Sequence, residues 1–83
     1  MDTIKLSDGR ETVAESAYLS SSGKMLVRVR MSMAEAVAFF ATGTDAIIYN
    51  SEEEGFSASG YTEIEYVAND GDYVIVALRR PMR

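Results

Sequence analysis

Ser32-Met33-Ala34-Glu35 decides how this chain reads. A Ser at the N-cap accepts a bond from a free backbone N–H, and a Glu three residues on reaches back to the Ser N–H. The stretch therefore starts a helix, and it stands alone among segments that read as strands. From Met33 to Ala41 the only charge is Glu35. A helix apolar on nearly every side expects cover on nearly every side. Taken from Met33, the stripe Met33, Ala36, Val37 and Phe40 should face a sheet, with Glu35, Ala38 and Phe39 on the other side. Gly43 suits a left-handed C-terminal cap.

Working outward, Asp8-Gly9 separates two short alternating runs, a hairpin signal. A two-residue loop there sets Leu6 opposite Glu11 and Ile4 opposite Val13, with Ile4 and Leu6 on one face. The second strand runs on to Leu19, and Ser20-Ser21-Ser22-Gly23 is a turn. Lys24 to Arg30 alternates: Met25, Val27 and Val29 point one way, Leu26, Arg28 and Arg30 the other. Beyond the helix, Asp45 to Tyr49 is a strand. Phe56 to Gly60 reads equally as a short strand or an extended loop, and Tyr61 to Val67 is a strand. Tyr73 to Arg79 is apolar at almost every position, which places it centrally in a sheet. A three-residue Asn69-Asp70-Gly71 loop, favoured over a two-residue Asp70-Gly71 loop, puts Ile64 and Tyr66 with Val74, Val76 and Leu78. The expected fold is one α+β domain over residues 1–83. A single helix packs on a curved, mainly antiparallel sheet in the order β-β-β-α-β-β-β. Both halves carry hairpins, but their sequences do not repeat.

The 83 residues include no Cys and no His. Disulfides and Cys-based zinc sites are excluded, and the commonest general base near neutral pH is missing. No nucleophile–base–acid set can be assembled, so no catalytic residue, cofactor or metal is expected. The net charge of −5 disfavours direct binding to a phosphate backbone. Tyr49, Phe56, Tyr61 and Tyr66 lack the interleaved basic residues of a base-stacking platform. Glu52-Glu53-Glu54 reads as a solvated loop, and Glu63 and Glu65 as partners for Arg28, Arg30, Arg79 or Arg80. Met1 to Lys5 has no basic region leading into an apolar run, so no signal peptide is expected, and the longest apolar run, within the helix, is far too short to span a membrane, so no membrane partner is expected.

What covers Ala38 and Phe39 stays open between strand four with its following loop and a second subunit or partner. Met31 and Glu35 flank that face, and methionines are adaptable contacts. Met31, Glu35, Ala38 and Phe39 thus form a candidate partner surface. Glu52, Glu53, Glu54, Glu63 and Glu65 form a candidate acidic surface, suited to occupying a basic patch on a partner.

Several of these elements also resemble one class of proteins. The opening Ile4-x-Leu6-x-Asp8-Gly9, the helix Met33-x-Glu35-Ala36 ending in Phe39-Phe40, the strand Ile47-Ile48-Tyr49 and the step Gly60-Tyr61-Thr62 look like small phage and prophage proteins of gut and other low-GC bacteria. The resemblance implies a phage gene product that acts by binding protein, itself or another phage or host protein, in the host cytoplasm or the virion. It carries over no catalytic residues.

Overall fold

The computed structural model describes residues 2–41, 45–49 and 57–81. Strand β1 (Asp2–Leu6) pairs antiparallel with β2 (Glu11–Ala14), Ile4 opposite Thr12 and Lys5 opposite Glu11. This is one residue away from the expected register. The loop is Ser7-Asp8-Gly9: the Leu6 N–H donates to the Arg10 carbonyl at 2.7 Å, and the Gly9 N–H to the Leu6 carbonyl at 2.9 Å. Gly9 sits at φ +97°, which a three-residue hairpin loop requires at its last position. A slip of one residue turns every β2 side chain over. Ala14 is therefore buried, and Val13 is 58% exposed. Ile4 and Leu6 share the buried face, as expected.

The second segment does not continue as one strand. It passes through Glu15 into β3 (Ser16–Leu19), which belongs to a different sheet. The Glu15 N–H donates to the Arg28 carbonyl at 2.8 Å, so the chain is already bonded to the new sheet at the crossing. After the Ser20–Gly23 turn comes β4 (Met25–Val29). Its Met25, Val27 and Val29 are fully buried, as the alternation predicts.

Helix α1 (Met33–Phe40) begins with the complete capping box. The Glu35 N–H donates to Ser32 Oγ at 3.1 Å, and the Ser32 N–H to Glu35 Oε1 at 3.4 Å. The buried stripe differs from the expected one. Ala36 and Phe40 are buried, while Met33 is 37% and Val37 43% exposed. Phe39 packs partly on the same core. Residues 36, 39 and 40 stand at i, i+3 and i+4, one face of a helix. The helix is rotated toward its two Phe residues, which offer more apolar area than Met33 and Val37. Its C-cap is Ala41, whose N–H donates to the Val37 carbonyl at 2.8 Å; Gly43 lies outside the described residues.

Four strands follow: β5 (Ala46–Tyr49), β6 (Ser57–Tyr61), β7 (Glu63–Asp70) and β8 (Tyr73–Arg79). The ambiguous segment is thus a strand, and Tyr61 ends it rather than opening the next. The strands form two antiparallel four-stranded sheets, β2-β1-β5-β6 and β3-β4-β8-β7, with β8 internal as expected. The class is α+β, with one helix between two runs of strands. Where a single curved sheet was expected, two sheets share one core. At both borders a strand changes sheet across one residue, Glu15 between β2 and β3 and Thr62 between β6 and β7, the usual way to turn a corner between packed sheets. The order has two-fold character: each strand of the first four has its counterpart, four strands later, in the mirrored place of the same sheet.

The last hairpin takes neither expected register. Asp70 opposes Tyr73, so the loop is Gly71-Asp72, with Gly71 at φ +64°. Gly first in a two-residue loop suits the twist of paired strands. The register then shifts between Ile64 and Tyr66. Val67 and Ile64 pack on the core, and Tyr66 faces out at 46% exposure. The bulge is what allows both to be true, because it breaks the period-two alternation.

Candidate interaction surface

Direct cross-strand pairing lays out the outer face of the second sheet row by row. One row is Tyr18, Leu26, Ala77 and Tyr66, taken across β3, β4, β8 and β7. The next is Ser16, Arg28, Ile75 and Ala68. On β4 and β8 these residues lie opposite the buried Met25, Val27, Val29, Val74 and Val76, and their direct partners on β3 and β7 share that outward face. Tyr18 is 54% exposed, and Leu26 and Ile75 are half-buried. Ala77 lies at the floor, closed off by its taller neighbours although it is not part of the core cluster. A shallow depression of about 240 Å³ opens between Tyr18, Leu26 and Ile75, with Arg28 and Asp70 at its edge.

Charges border this apolar strip. At one end Lys24 Nζ lies 2.9 Å from Glu65 Oε2, and Arg79 Nε 3.2 Å from Glu63 Oε2. At the other, Arg28 Nε lies 3.1 Å from Asp70 Oδ2 and its guanidinium stacks 4.3 Å above the Tyr73 ring. The Arg28 Nε–H is not aimed at that oxygen, so the contact is a close charge pair rather than an aligned hydrogen bond. The anions Glu63, Glu65 and Asp70 belong to β7; their cations come from β4 and the turn before it (Arg28 and Lys24) and from β8 (Arg79).

The expected partner residues are not brought together as a free patch. Ala38 and Glu35 are exposed, and Glu35 is engaged in the helix cap. Met31 and Phe39 pack against the core. Phe39 meets Phe40 edge to face at 4.9 Å, and Arg10 lies 5.2 Å from its ring centre. Part of the cover for Phe39 therefore comes from its own chain. Glu52, Glu53 and Glu54 lie outside the described residues. Glu63 and Glu65 are each ion-paired, Glu63 with Arg79 as anticipated and Glu65 with Lys24 instead of an arginine. Tyr61 is buried with Arg80 over its ring, so it shares no platform with Tyr66.

The outer strip was not singled out from sequence, yet a signal existed. Tyr73 to Arg79 is apolar on both faces, and a strand of that kind expects cover on both. Leu26 beside Arg28 on the outward face of β4 is the same signal in weaker form. Among the described residues no helix is long and apolar enough to cross a membrane. Comparison with known proteins found no protein-family model, no curated protein and no solved structure that matches this chain.

Proposed function

We propose that this chain is a non-enzymatic protein-binding module, a structural or assembly accessory of phage type working in the host cytoplasm or the virion, and that it binds through the outer face of the β3-β4-β8-β7 sheet. One observation carries the reading: an apolar row with an exposed Tyr at each end, bordered by charges. Tyr is enriched where proteins meet, and a polar rim around an apolar centre is how such surfaces are built. The depression is smaller than the ~300–1,000 Å³ usual for small-molecule pockets, so it suits a protein side chain better than a free ligand. The alternative, an acidic regulator that occupies a basic surface, draws no support from Glu63 and Glu65, whose charges are already met.

The test compares wild type with Tyr18→Ser/Tyr66→Ser, by co-purification from cells and by sedimentation of the pure protein. Wild type should be recovered in a complex, with itself or another protein, and the variant should not, while the circular dichroism melts of the two agree. A wild-type chain that stays alone in both assays, or a complex indifferent to the substitutions, overturns the reading.

A further inference from the structure

We infer that Asp70-Gly71 is a site of spontaneous covalent modification, where the chain converts its own aspartate to isoaspartate, and that the fold protects the same dipeptide at Asp8-Gly9. This holds whatever the outer face of the sheet meets.

An aspartate followed by glycine is the pair at which a backbone nitrogen most readily attacks the preceding side chain, because no side chain on the next residue shields it. Asp8-Gly9 and Asp70-Gly71 are two such pairs, each at a hairpin loop. Both glycines have positive φ, +97° at Gly9 and +64° at Gly71, and open space where a Cβ would stand. Room around the glycine therefore does not separate the two sites. Hydrogen bonding does.

At the first pair both reacting groups are held. Asp8 Oδ1 accepts from the Arg10 backbone N–H at 3.1 Å, and Oδ2 from the Arg10 Nε–H at 2.9 Å. The Gly9 N–H, which carries the attacking nitrogen, donates to the Leu6 carbonyl at 2.9 Å. Ring closure must break these bonds, and the two on the carboxylate are charge-assisted.

At the second pair neither group is held in this way. Asp70 Oδ2 lies 3.1 Å from Arg28 Nε without an aligned hydrogen bond, on a side chain 46% exposed. Among the described residues no acceptor takes the Gly71 N–H. Asp70 also forms the last rung of the β7–β8 ladder, opposite Tyr73, and the ends of elements open most readily.

The step needs no cofactor or partner. The Gly71 nitrogen bonds to Asp70 Cγ. The Cγ–OH bond breaks, and the hydroxyl leaves as water with the amide proton. Water then adds to the five-membered imide. Opening on the Cγ side restores aspartate. Opening at the main-chain carbonyl leaves the chain running through Cβ and Cγ, one methylene longer, with the former main-chain carbonyl as a free carboxylate. The residue then no longer stands level with Tyr73, so the last rung is lost. The seat of Arg28, between the Asp70 carboxylate and the Tyr73 ring, changes with it.

The test holds the purified full chain for days in mildly acidic buffer well below its melting temperature, once folded and once unfolded in urea. Isoaspartate is measured at each site by peptide mapping with isoaspartyl methyltransferase labelling. Folding should slow Asp8 at least about ten-fold more than it slows Asp70, the factor set by one charge-assisted hydrogen bond that Asp8 must first break. Asp70→Glu, whose longer side chain does not close the five-membered ring, should abolish the label in its peptide. Equal slowing at the two sites, greater slowing at Asp70, or no label at Asp70 in the folded chain overturns the inference. So does a label in that peptide which survives Asp70→Glu.

Discussion

The Asp2 carboxylate accepts a hydrogen bond from the Ala17 backbone N–H at 2.8 Å, tying the first strand to the far side of the corner at Glu15. Asp45 repeats the relation in the second half: its Oδ1 accepts from the Gly60 N–H at 2.6 Å, close to the corner at Thr62. In each half the two residues are 15 apart in sequence. A strand that changes sheet leaves N–H groups without a ladder partner, and an unmet backbone donor in a half-buried place is costly. An Asp just ahead of, or opening, the first strand of each half supplies the acceptor. The two-fold pattern of strands is thus matched by a two-fold pattern of pins, in a chain whose halves do not resemble each other residue by residue.

Removing a pin should loosen its corner. Asp2→Ala and Asp45→Ala should each lower stability by about 1–3 kcal/mol, because the Ala17 or Gly60 N–H loses its acceptor. Asp→Asn at the same positions keeps an acceptor oxygen and should cost less. Urea unfolding measures both. Equal losses for Ala and Asn would show that the hydrogen bond is not what matters.

The helix should report which stripe is buried. Phe40→Ala should cost about 3–5 kcal/mol, enough to unfold much of the population of so small a domain. Val37→Gln should stay within about 0.5 kcal/mol, since Val37 is largely exposed. Phe39→Asp should destabilise by about 2–3 kcal/mol through the charge it presses against the core. Were Val37→Gln the more damaging, the helix would be rotated as the sequence pattern had suggested. Ser32→Ala removes the cap and should cost about 1 kcal/mol.

Gly71 is held at φ +64° with open space where a Cβ would stand. Gly71→Ala should therefore cost about 1–2 kcal/mol from backbone conformation alone. Hydrogen exchange should show the loss concentrated in the β7–β8 hairpin. A neutral result would mean that the loop is not held in this conformation.

Asp8 gives a pH signature. The Arg10 backbone N–H holds its carboxyl below the usual carboxylate range; desolvation opposes this, and the Arg10 guanidinium adds to the lowering. The folded chain then binds the Asp8 proton less readily than the unfolded one. The stability this brings is fully present above the ordinary carboxylate pKa, and is lost as pH falls from about 4 through the lowered value. A carbon-detected NMR titration should place the Asp8 midpoint below the ordinary aspartate value. Arg10→Gly should raise it, though not fully, because the backbone donor remains.

The surface ion pairs should matter little to folding. Glu63→Gln and Glu65→Gln should each change stability by less than about 1 kcal/mol, as exposed pairs do.

Much of this fold was legible in the residues alone. Ser32 and Glu35 marked the helix start to the residue. The alternation of Met25, Val27 and Val29 gave the buried face of β4, and the two-sided apolar run from Tyr73 to Arg79 gave an internal strand. Each is a local signal, set by neighbours in sequence and by the periods 2 and 3.6. The tertiary structure decided the rest: three residues rather than two in the first loop, the crossing at Glu15, the bulge beside Glu65, and the turn of α1 toward Phe39 and Phe40. Register and helix rotation follow from which faces are buried together, and a slip of one residue exchanges core for surface. That is how Tyr66, read as inward, came to stand outside with Tyr18, and how the candidate surface moved from the helix to the sheet.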